Sequence, residues 1–455
     1  MKKYTCLFLL LLCNLYAHVK WFSDFSFSDE PLGIYQVLNP TFLFFAILSV
    51  FAIMLLVYLD KNLQNFAWNK KINDTLEYYK DMSDLIIRIA VGATMLLCWQ
   101  ADSILAPELN VQGSSIGWLQ FVICFLLLFS RTLPFSGIAI LFLYIYGMQK
   151  FGFLHMLDYT HYVGIGFFLL VSQVKTKEIL ELRLPLLYFF TGFSLCWLAL
   201  EKIFYPQWTL YILEQNPQLA LGFNLDFFRQ GAAFVEFSLG YLLVICLLQR
   251  PLAVIITCVF FSTTLVFGKT EIIGHTAIHA ILIVFLIEGP GKFYTSPIHF
   301  HKNFKLRLLF SSINFLILLF LITWAYSLSS SYQYEANKNE NCHQHSSIDV
   351  TELLNKPQLE LKIQKDSISG WNIEFITENF IFSPQDAGKK DIVGQGHIHL
   401  YINGKKRARV YSRWFHLPDL PSGKYQISAS LNGNSHSNYE IQGKAIRSKL
   451  DLVVE

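Results

Sequence analysis

Ten apolar runs separated by short polar connections occupy most of the chain between residues 40 and 328. They lie near 40–59, 84–101, 115–130, 133–148, 159–173, 184–203, 231–248, 251–268, 270–288 and 307–328, and each reads as a membrane-crossing helix, the shorter ones tilted or broken. Ahead of them, residues 1–17 (MKKYTCLFLLLLCNLYA) have the basic start, short apolar core and closing Ala of a secretory signal. Residues 329–351 are polar and are expected to form a helix-poor linker. From 352 to 455 the apolar period switches to two: Leu359, Leu361 and Ile363, then Trp371, Ile373 and Phe375, then Tyr425, Ile427, Ala429 and Leu431. Asn403-Gly404 marks a hairpin turn, and about seven short strands predict an all-β sandwich.

The expected fold is therefore a polytopic α-helical membrane protein of about ten spans after a signal peptide, with a C-terminal β-sandwich ectodomain. Ten crossings that start outside return the chain outside. Lys70, Lys71, Arg131, Lys175, Arg250 and Lys292 then fall on the cytoplasmic side, whereas the external loop 102–114 has no Lys or Arg. This bias predicts a bacterial inner-membrane protein whose 352–455 domain is periplasmic. Composition agrees: 53% of the 455 residues are hydrophobic and 15% charged, against roughly 25% in soluble domains. The basic residues are dispersed, which argues against a nucleic-acid partner. Of eight cysteines only Cys342 falls in a soluble region, so no disulfide framework is expected.

The candidate chemistry starts from Phe267–Gly289, an oily segment that carries Glu271, His275 and His279 at four-residue spacing. That spacing stacks them on one helix face, and ionisable groups at membrane depth mark functional sites. Most of the thirteen histidines fall on the predicted outer side, including His161 near the start of its span. Cleavage after Ala17 would make His18 the N-terminus, and a terminal His offers its amine and imidazole to one metal ion. In the β domain His397 and His399 share a strand face about 7 Å apart. His416 or His436 is expected to complete a copper or zinc site there. The domain has no Met or Cys, which excludes a blue-copper centre. Asn341-Cys342-His343-Gln344-His345 is a further soft-ion cluster or a plain spacer.

The spans also contain an internal likeness. Residues 95–108 (MLLCWQADSILAPE) resemble 193–206 (FSLCWLALEKIFYP), and Phe151-Gly152 corresponds to Phe267-Gly268, each pair opening a helix. Aligning these pairs sets His155 against Glu271 and Tyr159 against His275. The chain then divides into 18–83 (outer segment, first span and cytoplasmic loop), four-helix units at 84–173 and 184–289, a last span at 307–328, the linker and the β domain. The second unit, with Glu201-Lys202-Ile203-Phe204-Tyr205-Pro206 and Glu236 in AAFVEFSLGYLL, resembles the DoxX-like four-helix membrane family. The first resembles it in Arg88 and Gly92 but has Gln120 where the second has Glu236. That resemblance implies a four-helix fold and, in some members, a role as a subunit of quinone-linked oxidoreductases. Glu201, Lys202 and Glu236 would then hold a quinone head group, unless Glu236 simply pairs with Lys202.

Three functions follow as expectations. The first is a protein that handles a transition metal, copper above all, through the β-domain histidines and the Glu271–His275–His279 stripe. The second is a quinone-linked oxidoreductase component with a partner subunit. The third is a non-catalytic envelope scaffold that docks another protein. Whether the protein is an enzyme is left open.

Overall fold

The computed structural model describes residues 18–23, 25–27, 29–63, 66–111, 114–289, 303–343, 347–403, 405–420, 422–435 and 437–454. The signal-sequence reading of 1–17, the candidate ligand His436, the side chains of Cys342 and His343, and all of His345 lie outside the described residues. The chain divides into a helical unit, Met1–Glu335, and a second unit, Ala336–Glu455.

All ten predicted segments contain helix: α1 (Pro40–Leu63), α2 (Ser83–Gln100), α3 (Gly117–Leu127), α4 (Leu133–Phe151), α5 (His161–Leu170), α6 (Arg183–Phe204), α7 (Leu225–Val244), α8 (Gln249–Phe267), α9 (Lys269–Glu288) and α10 (Phe304–His343). Among the described residues seven helices are long and apolar enough to cross a membrane, those containing α1, α2, α4, α6, α8, α9 and α10. The segment Phe153–Tyr159 plus His161–Gln173 passes the same test only as a pair bent by 63°. Helix α3 is short, and α7 carries Asp226, Arg229 and Glu236 along its length. The protein is thus a mainly helical membrane protein with a C-terminal β-sheet region.

Both Phe-Gly pairs sit at helix breaks. Gly152 (φ +94°) separates α4 from the turn that leads to α5, and Gly268 (φ +67°) separates α8 from α9; side chains other than glycine rarely adopt such angles. Two further glycine pairs set helix spacing. A Cβ on Gly192 of α6 would lie 2.5 Å from the Gly240 carbonyl oxygen of α7, and one on Gly137 would lie 2.5 Å from that of Gly166 in α5. Backbones touch there because no side chain intervenes. The units interlock reciprocally: α5 packs on α6, and α9 packs back on α2. The ends of α5 and α9 are thereby brought to the middle of the helical unit.

One expectation fails at the end of this unit. The linker predicted at 329–351 is not helix-poor, because α10 runs without a break from Phe304 to His343. A helix already nucleated in a span adds a hydrogen bond with each further residue, so polar composition alone does not stop it.

The second unit contains β1 (Ser347–Asp349), β2 (Gln358–Lys365), β3 (Trp371–Glu378), β4 (Ile381–Phe382), β5 (Gln395–Ile402), β6 (Lys405–Val410), β7 (Trp414–Leu417), β8 (Gly423–Asn432), β9 (Asn438–Ile441), β10 (Lys444–Ala445) and β11 (Arg447–Val454), more strands than predicted. The first of them begins before residue 352 and pairs in parallel with β9. One sheet runs β1-β9-β8-β5-β4, with β6, β10 and β11 attached, and β2-β3-β7 forms another. Strands β5 and β6 pair across Asn403, as the turn signal predicts. Leu361, Ile373, Phe375 and Leu417 of the smaller sheet share one core with Ile398, Leu400, Ile427 and Leu431 of the larger.

Candidate functional site

Three chain segments bring histidines to one buried place in the helical unit. The first is the stretch that begins at His18. Its short 3-10 turn, Val19–Trp21, is held by a Trp21 N–H to His18 carbonyl bond of 3.3 Å, and Leu32 N–H bonds the Phe204 carbonyl at 2.9 Å to draw the following chain against α6. The second is the bent connection before α5, with His155, Asp158, Tyr159 and His161, all buried. The third is α9, with Glu271 and His275, which are 1% and 0% exposed.

Lys20 is the electrostatic anchor of the first segment. Its ammonium lies 2.5 Å from Asp158 and 2.7 Å from Glu201, with all three side chains about fully buried. Burial alone favours loss of its proton, but the two carboxylates outweigh that and hold its pKa above the ordinary 10.5. Trp21 is seated over Gly274 of α9, where an added Cβ would come within 1.9 Å of its indole ring. Phe22 stacks on Phe267 at 4.4 Å.

These contacts fix His18 between aromatic rings. Its imidazole stacks on Trp21 at 4.1 Å and on Tyr159 at 5.3 Å, nearly parallel to both. The His275 ring is 5.9 Å away. Tyr159 and His275, which the Phe-Gly alignment sets against each other, therefore flank the same imidazole. Burial, then the neighbouring His275, Lys202 and His161, keep the His18 pKa well below 6.5, so its ring is neutral. His18 Nδ1, His161 Nε2 and both ring nitrogens of His275 have no hydrogen-bond partner among the described residues. Buried polar nitrogens are normally paired, and each that is not calls for a ligand or water.

Behind these rings stands a layer of carboxylates. Glu271 Oε2 is 2.6 Å from His275 Nδ1 and accepts a 2.8 Å bond from Thr263. The carboxylate lies against the His275 ring without an aligned hydrogen bond to Nδ1, close enough to back the imidazole as carboxylates do behind metal-bound histidines. Glu271 is thus placed to support His275 rather than to stand beside it as a ligand. The loop between α2 and α3 folds inward, with Gln120 Nε2 donating to the Ser103 carbonyl at 2.8 Å, and carries Glu108 into the site. Tyr159 donates to Glu108 and accepts a 3.0 Å bond from Trp21 Nε1, while His155 Nε2 is 3.3 Å from the same carboxylate oxygen. Burial pushes Glu108 up to about 8, only partly offset by its backbone hydrogen bond and by Lys20. Asp158, Glu201, Glu236 and Glu271 are buried, and the Glu108 side chain is 8% exposed; the buried ammoniums beside them among the described residues are Lys20 and Lys202. Buried Arg229 is turned to Asp226 at 2.6 Å and donates to the Lys202 carbonyl.

The remaining predicted residues divide. Lys202 pairs with Glu236 at 2.7 Å, as the structural alternative has it, while Glu201 is drawn to Lys20 instead. His279 lies farther along α9, half-buried, 6.3 Å ring to ring from His275 and edge-on to Phe260 and Phe261. His161 stands on the other side of Tyr159 at 6.1 Å, its Nδ1 3.4 Å from Ser194. In the β unit His397 and His399 do share a face, with Nε2 atoms 2.9 Å apart, but both are buried rather than open. His416 is not their partner. It lies on β7 in the other sheet, exposed and 3.1 Å from Asn372, because the chain crosses sheets between β6 and β7. Among the described residues no three His, Cys, Asp or Glu side chains form a group that could hold a metal ion as they stand.

Lys20, Trp21 and Glu108 are the functional residues that sequence reasoning missed. A charged residue three places after the predicted cleavage point and a Glu in a loop without basic residues were the only signals, and neither shows its buried partner. Comparisons with protein-family models, with curated proteins and with solved structures return no match.

Proposed function

We propose that this is an inner-membrane protein that handles a transition metal, copper above all, at its periplasmic face, and that the centre lies in the helical unit between His18 and His275. The observation that carries this reading is the pair of buried rings 5.9 Å apart, each with an unpartnered nitrogen, with Glu271 behind one of them. Imidazole nitrogens with a carboxyl group behind one of them, in a cluster rich in carboxyl groups, suit a soft or borderline cation. His161 and His279 are neighbouring imidazoles, 6.1 Å from Tyr159 and 6.3 Å from His275 ring to ring. In the β unit, read as a sandwich, the His397–His399 pair forms a second, two-imidazole site. The test is metal analysis of the intact detergent-purified protein, alone and after addition of Cu(II) or Zn(II). One equivalent of metal, lost on His275→Ala and kept on His397→Ala with His399→Ala, supports the reading. No stoichiometric metal under any of these conditions refutes it.

A second reading has its own observation. The Lys202–Glu236 pair is buried and leaves Glu236 Oε1 unpartnered, which suits a hydrogen bond to a quinone head group in a DoxX-like oxidoreductase subunit. This reading predicts quinone in an organic extract of the purified protein and its loss on Glu236→Gln. An extract without quinone removes it.

A further inference from the structure

We infer that the missing ligand of this centre is a main-chain group: the α-amino nitrogen of His18, created when the chain is cut after Ala17. The inference rests on the metal reading above and deepens it.

The side chains at the centre supply two imidazoles, and a third side-chain ligand does not stand with them. The atom of His18 that lacks a partner is Nδ1. Of the two ring nitrogens Nδ1 alone can share a metal with the residue's own amine, because N, Cα, Cβ, Cγ, Nδ1 and the ion close a six-membered ring, whereas Nε2 points away from the backbone. While the Ala17–His18 bond is intact, that nitrogen is an amide whose lone pair is delocalised into the carbonyl, and it is not a ligand. Hydrolysis adds one water, leaves a carboxylate on Ala17 and frees an amine on His18. That amine, with an ordinary pKa of about 7.7–8.0, gives its proton to solvent when it binds the ion. The amine and Nδ1 of His18 and Nε2 of His275 then make a three-nitrogen set.

The fold holds the arm for this purpose. Lys20 is clamped by Asp158 and Glu201, and Trp21 fills the space over Gly274, one residue before His275. A chelating N-terminus fixed by its second and third neighbours costs little further ordering when metal binds. It follows that the metal centre assembles only after the leader is removed, so processing controls metal loading.

The experiment uses full-length protein produced with its leader. Intact mass should show a chain that begins at His18; any other N-terminus overturns the inference. The variant Ala17→Tyr, whose bulky residue at the cleavage point stops processing, keeps the His18 nitrogen as an amide. Its Cu(II) affinity, measured by competition with a chromophoric chelator, should fall by about 100-fold or more, the loss expected when a tethered ligand is removed. Equal affinity in the two proteins overturns the amine ligand and leaves the imidazole site standing. No copper binding in either removes both readings. Because a retained leader also crowds the arm, the processed protein gives an independent result: with histidine labelled by 15N only at the α-nitrogen, Cu(II) EPR should show coupling to that nucleus, and its absence refutes the proposal.

Discussion

Replacing Lys20 by Met is the sharpest test of how the N-terminal segment is held. The side chains are similar in length, so the change removes the ammonium and little volume. The structure leaves Asp158 and Glu201 behind as two carboxylates with about 1% exposure each, their cation formerly 2.5 Å and 2.7 Å away. Breaking a buried ion pair on one side costs about 3–5 kcal/mol, because the remaining charge must be neutralised or rehydrated. The protein can lower that cost by releasing the segment, which exposes Val19, about 1.5–3 kcal/mol for a buried apolar side chain, and gives up the Trp21 seat. The cheaper route sets what is seen. Two measurements therefore go together: denaturation of the detergent-solubilised protein, and hydrogen exchange with limited proteolysis at residues 18–23. The expected result is a loss of about 3 kcal/mol or more in global stability, or loss of local protection at 18–23 with a smaller global change. Adding Asp158→Asn and Glu201→Gln to Lys20→Met should recover over half of the loss, since the buried charges are then gone. If Lys20→Met leaves both global stability and local protection unchanged, or if the triple variant is no better than the single one, the ion cluster does not hold this segment.

Other predictions test neighbouring parts of the site. Glu108 is raised from 4.5 to about 8 in the folded protein, so the folded state keeps a proton that the unfolded state loses; its contribution is full below pH 4.5 and is lost as pH rises to about 8. Glu108→Gln should flatten the stability–pH profile in that window, and an unchanged slope would refute the assignment. Gly274→Ala should expel Trp21 and cost about 1–3 kcal/mol, read as protease cleavage near residue 20 together with weaker metal binding. In Gly240→Ala the new methyl would meet the Gly192 carbonyl oxygen at 2.6 Å. It should force α6 and α7 apart and destabilise the helical unit by a similar amount. An unfolding midpoint equal to the parent's would show that the contact yields freely.

The helical segments were legible because a span must satisfy its own backbone and present apolar side chains, and both demands are local in the chain. The strands β2, β3 and β8 were legible for the same reason, through their period of two. Glu271 and His275 could be picked out because polar residues at helical spacing are conspicuous in an oily segment. What went unread was local in a different sense: the helix past Ser329 continues because it is already formed, and polarity does not oppose that.

Long-range pairing decided the rest. The sequence by itself determined the ten apolar helical segments and the strands of regular alternation, where the Phe-Gly breaks fall, and that His18, Glu271 and His275 were residues worth watching. Only the tertiary structure decided that Lys20 sits with Asp158, 138 residues away, that Glu108 is folded inward, that His18 and His275 stand together, and that His416 lies in the wrong sheet for His397. Periodicity reports how one element meets its surroundings, and it carries no information about which charge on a distant segment will be buried against it. A buried ion pair is specified by the packing that excludes water from both partners at once, and that condition exists only when the helices have come together.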